Sequence, residues 1–92
     1  MSFALPAFAV SYWRSGTAEC VPGQGVATRV YAVEDHYHYK GGQGIDWTIP
    51  RSATWGVTVL SATNPPLQTW KVGNRPPYAH DYGNSYGYCA SL

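Results

Sequence analysis

The segment VATRVYAVEDHYHY, Val26 to Tyr39, constrains this chain more than any other. Its β-branched and aromatic residues alternate with period two, and neither Gly nor Pro interrupts them until Gly41. That pattern predicts a β-strand. One face carries Val26, Thr28, Val30, Ala32, Glu34, His36 and His38; the other carries Ala27, Arg29, Tyr31, Val33, Asp35, Tyr37 and Tyr39. The first half is apolar enough for a core, and the second half collects titratable groups. The pattern therefore predicts a core strand that runs out into a site or into solvent.

The flanking segments repeat the theme in shorter pieces. Phe3 to Tyr12 alternates as an edge strand would, with Pro6 where a ladder donor is dispensable, and Arg14 to Gly25 reads as turn material. Pro22-Gly23 marks a type II turn, and Lys40 to Gly44 turns the chain into a short strand, Ile45 to Ile49. Trp55 to Leu60 reads as a second central strand, with Trp55, Val57 and Val59 expected in the core. Leu67 to Val72 follows, and the Gly- and Pro-punctuated tail reads as a long loop with a short strand near Tyr86 to Ala90. No long window has helical period. The expectation is one all-β domain over residues 1–92, a small antiparallel β-sandwich or barrel of six to seven short strands.

A 92-residue chain buries only roughly 60–65% of its unfolded surface, so a covalent staple matters. Cys20 and Cys89 are the two cysteines, and neither has the spacing of a zinc site. Paired, they close a loop of roughly 70 residues, worth about 4 kcal/mol in the chain-entropy model. Low charge, a single Met and abundant Tyr, Gly and Thr favour the disulfide and an extracellular, cell-surface or virion setting. The opening MSFALPAFAVSYW shows no basic leader and is too short for a membrane span. A net charge of +1 without a basic run argues against a duplex nucleic-acid partner.

Catalytic patterns are sparse. There is no GxSxG, no phosphate-binding loop, and Glu34 and Asp35 alternate to opposite faces, which no glycosidase pair can do. The sharpest constellation is Glu34-x-His36-x-His38, which presents two imidazoles on one face as β-sheet metal sites do. His80, beside Asp81, would complete three ligands if the C-terminal loop folds back. The competing expectation is a strand end emerging into solvent. No cofactor is implied, and the chain reads as non-enzymatic.

The aromatics carry the functional expectation. Four Trp and eight Tyr exceed what a small core can hold. Trp13, Trp47, Trp55 and Trp70 lie in strand-like segments and read mostly as core. Tyr37, Tyr39, Tyr78, Tyr82, Tyr86 and Tyr88 cluster with polar or Gly-rich residues, the composition of contact surfaces. A binding module for a glycan or protein partner is expected first. A structural subunit of a larger assembly, such as a virion or filament component or a homo-oligomer, comes next. A small metal enzyme or secreted enzyme inhibitor is third. Tyr12-Trp13-Arg14 followed by Cys20, with Val30-Tyr31-x-x-Glu34-Asp35, resembles the small secreted α-amylase inhibitors of actinomycetes, which carry a Trp-Arg-Tyr triplet. The order here is Tyr-Trp-Arg and only one of their two disulfides can form, so the resemblance assigns no family.

Overall fold

The short β-branched and aromatic segments fold into strands, and the Gly- and Pro-rich pieces between them turn the chain. The computed structural model describes residues 11–41, 45–50, 53–63 and 68–92. Within these run β1 (Tyr12–Thr17), β2 (Gln24–Val33), β3 (His36–Lys40), β4 (Ile45–Ile49), β5 (Trp55–Thr63), β6 (Thr69–Asn74) and β7 (Tyr86–Ser91). A 3-10 turn spans Tyr82–Asn84. Two antiparallel sheets pack face to face, in the orders β1-β6-β3-β4 and β5-β2-β7. This is the expected all-β sandwich. Of the strand expected over Phe3 to Tyr12, residues 3–10 lie outside the described residues, as do the side chains of Ile45, Asp46 and Trp47. β1 instead runs from Tyr12 to Thr17, into the segment expected as turn, where it pairs with β6.

The predicted continuous strand Val26–Tyr39 breaks at Glu34, whose φ of 69° is left-handed. A non-glycine residue there costs about 1–2 kcal/mol. Arg75 holds the corner from outside. Its guanidinium lies 3.0 Å from Asp35 and 3.7 Å from Glu34, and its backbone N–H donates to Asp35 O at 3.3 Å. Past the corner the chain leaves one sheet and enters the other. Parity survives the fold: the even positions Val26, Thr28, Val30 and Ala32, then His36, His38 and Lys40, are buried between the sheets.

The apolar centre is Val26, Val30, Ala32, Trp70 and Val72. Two glycines make room for the Trp70 indole, Gly16 on the neighbouring strand β1 and Gly87 on the facing sheet. Asn74, only 1% exposed, ties the far end together. It accepts from Trp13 Nε1 at 2.8 Å and donates to Val33 O and Ala79 O at 2.8 and 3.1 Å. The Cys20–Cys89 disulfide forms, with Cα atoms 5.5 Å apart, and fastens β7 to the segment before β2.

One core expectation is corrected. Among the described strands β5 lies at the edge of its sheet, not at the centre. Trp55, Val57 and Val59 are 50%, 40% and 48% exposed. The register sets Thr58 against Val30 and Val57 against Tyr31, so Thr58 faces inward and the larger apolar side chains face out.

The glycine at 87 gives a test of the packing. A Cβ added there lies against Trp70 Cγ, closer than non-bonded carbons sit. Gly87→Ala is expected to cost about 1–3 kcal/mol. Gly83→Ala, whose Cβ would meet nothing nearer than Asp81 Oδ1 at 3.8 Å, is expected to stay within about 0.5 kcal/mol of the parent. Thermal unfolding of the two variants decides it.

Candidate functional site

Strand β3 carries the expected titratable cluster, and the corner at Glu34 directs it into the sandwich rather than into solvent. The His36 ring is fully buried and uses both nitrogens. Nε2 donates to Ala32 O at 3.1 Å, and Nδ1 accepts from Thr58 Oγ1 at 2.7 Å. His38, equally buried, lies over Thr28 with Nδ1 2.8 Å from its hydroxyl. Nε2 of His38 has no partner among the described residues, so the proton belongs on Nδ1, where Thr28 Oγ1 accepts it. Lys40 Nζ donates to Ser61 O, across the same interface. Burial, and then the charges of His36 and Lys40, push the His38 pKa down to about 3. Burial also lowers that of Lys40.

The C-terminal loop does fold back. His80 forms an isolated bridge with Ala32, Val33 N–H donates to Ala79 O at 3.0 Å, and Asp81 N–H donates to Tyr31 O at 2.9 Å. The His80 ring, however, is exposed and stacks on Trp13 with centroids 3.9 Å apart. His36, His38 and His80 are thus not gathered round one point. Among the described residues no three His, Cys, Asp or Glu side chains are placed to hold a metal ion.

The six tyrosines divide. Tyr37 is 2% exposed and meets Tyr12 edge-on at 6.3 Å. Burial and the nearby Asp35 raise its pKa against the opposing pull of Arg75. Tyr39 is half-buried beside Tyr12, at 6.4 Å. Tyr86 and Tyr88 are half-buried and in contact at 5.7 Å. Tyr78 and Tyr82 are the exposed pair, at 40% and 55%. Tyr78 lines a hollow of about 250 Å³ with Trp13, Pro76, Pro77 and His80.

Two surfaces stand out that sequence reasoning did not assemble. The first is the outer face of the β5-β2-β7 sheet. Trp55, Val57 and Val59 emerge from it, and the Trp55 ring packs on Tyr31 at 5.2 Å. The second is a cleft of about 470 Å³ beside β1, lined by Tyr12, Trp13, Arg14, Ser15, Lys71 and Tyr82. Arg14 Nη1 donates to Tyr82 O at 2.7 Å and Ser85 O at 3.0 Å, and its guanidinium lies 4.6 Å from the Tyr82 ring centre. Asp81 shapes this loop by capping the 3-10 turn. Its carboxylate accepts from Asn84, and those bonds first of all lower its pKa. The alternation of β5 and the Tyr-Trp-Arg triplet were the available signals, but both read as core or turn until the register is known.

No family model, curated protein or solved structure matches this chain.

The buried His38 makes stability depend on acid. The unfolded ring protonates near 6.5 and the folded one near 3. Between those values only the unfolded chain holds the proton, so stability falls as pH drops from 6.5 toward 3. The full loss from this group is on the order of 5 kcal/mol. The double variant Thr28→Val with His38→Leu is expected to lose that part of the slope. Urea unfolding of both proteins at a series of pH values measures it, and parallel curves would contradict it.

Proposed function

We propose that the chain is a non-enzymatic recognition module that meets a protein partner through the outer face of its three-stranded sheet. One observation carries this reading: three successive outward positions of β5, Trp55, Val57 and Val59, stand 40–50% exposed beside Tyr31. Isolated exposed apolar residues are ordinary, but a contiguous apolar face marks an interaction site. At the outward positions of β2 and β5 the one charged residue is Arg29, whose Nε is already donated to Asn84 O at 2.9 Å. Low charge with aromatic and β-branched residues suits the dry centre of a protein interface.

The non-enzymatic part of the reading is supported by how the reactive groups are spent. Both cysteines are in the disulfide, Glu34 and Asp35 face Arg75, and the His36 and His38 rings are sealed between the sheets. The disulfide suits an oxidising compartment, and an extracellular or surface location follows in this reading.

A second reading, a structural subunit of a larger assembly, is favoured by the edge itself. Trp55–Thr63 contains no charged residue and no Pro, and pairs on one side only among the described strands. Natural edge strands are usually protected by such residues, and an unprotected edge is a template for another strand.

The test places a photo-crosslinking residue at Val57 in the source organism. The proposal expects one discrete adduct with a different protein. It also expects Val57→Lys with Val59→Lys to abolish the complex while changing stability by no more than about 1 kcal/mol, since both sites are exposed. Adducts only with further copies of this chain, matched by a multimer in light scattering, would replace the proposal with the assembly reading. No adduct would overturn both.

A further inference from the structure

We infer that the cleft beside β1 is a second binding site, for a sugar unit bearing a carboxylate. It opens next to β1, an edge among the described strands, whereas β5 is an edge of the facing sheet among them. The inference does not rest on the protein-contact reading.

Two cations line the cleft, and neither has an acidic partner among the described residues. The ion pairs formed there belong to Arg75, with Glu34 and Asp35. Arg14 is fixed by the two carbonyls that accept from Nη1 and by the Tyr82 ring beneath it. Its Nη2 and Nε donate to nothing among the described residues, so part of the guanidinium fork remains for a ligand. Lys71 is exposed, with Nζ 4.9 Å from the Tyr39 ring centre. Register places Ser15 opposite Lys71 on the neighbouring strand, and both line the cleft.

A cation held over an aromatic ring keeps its charge available. A pre-positioned guanidinium loses little freedom on gripping a carboxylate, which it matches with parallel N–H donors. Two cations are too few to neutralise a polyanion, so one or two carboxylates are the appropriate load. The aromatic lining decides between kinds of carboxylate. Tyr82, 55% exposed, offers ring surface to the apolar side of a pyranose, and Tyr12, Trp13 and Ser15 line the same cleft. An acidic peptide would need the cations but not the rings. A volume of about 470 Å³ lies within the range of small-ligand sites.

The experiment titrates the intact chain with a uronic acid tetrasaccharide and with sialyllactose, read by calorimetry and by Trp fluorescence. The inference expects saturable binding of at least one of them in the millimolar range or tighter. Methyl esterification of its carboxylates is expected to weaken binding at least ~10-fold. Lys71→Gln, at an exposed position, should weaken it ~10-fold with the fold unchanged, the loss expected for one charge-assisted contact. Tyr82→Ala should also weaken it, and Val57→Lys with Val59→Lys should leave it intact. Absence of saturation with both sugars overturns the inference. So does equal affinity for the methyl ester, an unchanged Lys71→Gln, or a tetraglutamate peptide that binds as tightly as the sugar.

Discussion

The corner at Glu34-Asp35 is the constraint on which the rest of this structure depends. Up to Val33 the chain is a central strand of one sheet; from His36 it is an inner strand of the other. The left-handed Glu34 is unfavourable by itself, and the Arg75 clamp on both carboxylates compensates by binding the turn to the end of β6. Because the crossing preserves parity, the face that is apolar in β2 continues as the basic row of β3. Thr28, Thr58 and the Ser61 carbonyl then become necessary, since a buried imidazole or ammonium without a partner is costly. Those hydroxyls occupy inward positions of β2 and β5 that larger apolar residues would otherwise fill. Trp55, Val57 and Val59 are left on the outside.

The other end of the sandwich follows a different rule, in which one large ring is accommodated by absent side chains. Trp70 fills the space over Gly16 and Gly87 there, whereas back at the corner Asn74 joins β6 to Trp13, to the end of β2 and to the loop before the 3-10 turn. That loop is consequently tied on both sides. Ser85 receives the Tyr31 N–H at 2.9 Å and donates to Asp81 O at 2.8 Å, while Arg14 reaches the Tyr82 and Ser85 carbonyls. A cleft with ordered cationic and aromatic walls is the by-product of this fastening.

Much of the fold was legible in the residues. Alternation identified most strands and the central place of Val26–Val33, though not β1 past Arg14, where Ser15 and Gly16 read as turn. Gly and Pro marked most breaks. The lone cysteine pair pointed to its disulfide. The corner was not legible, because no Gly or Pro marks it and Val33 and His36 both suit strands; the deciding contacts come from Arg75, far along the chain. The exposed face of β5 was hidden for a related reason. In WGVTVLSAT the outward Trp55, Val57 and Val59 are more apolar than the inward Thr58, so hydrophobicity alone assigns the faces the wrong way round. Of the candidate tyrosines, Tyr82 joins the cleft, while Tyr37 is covered by the fold itself. Trp13, Arg14 and Lys71 could be joined to Tyr82 only through the pairing of β1 with β6.

The fold turns His36, His38 and Lys40 inward and leaves Trp55, Val57 and Val59 outward, and the burial of His38 is the physical core of that account. Nitrogen-15 NMR of the imidazoles across a pH series measures it directly. The account predicts that His38 stays neutral, protonated on Nδ1, down to about pH 4, because its pKa is held near 3, and that zinc leaves its signals unmoved. A His38 ring that titrates near 6.5, or that shifts with zinc, would place it at a solvent-accessible site and contradict the account.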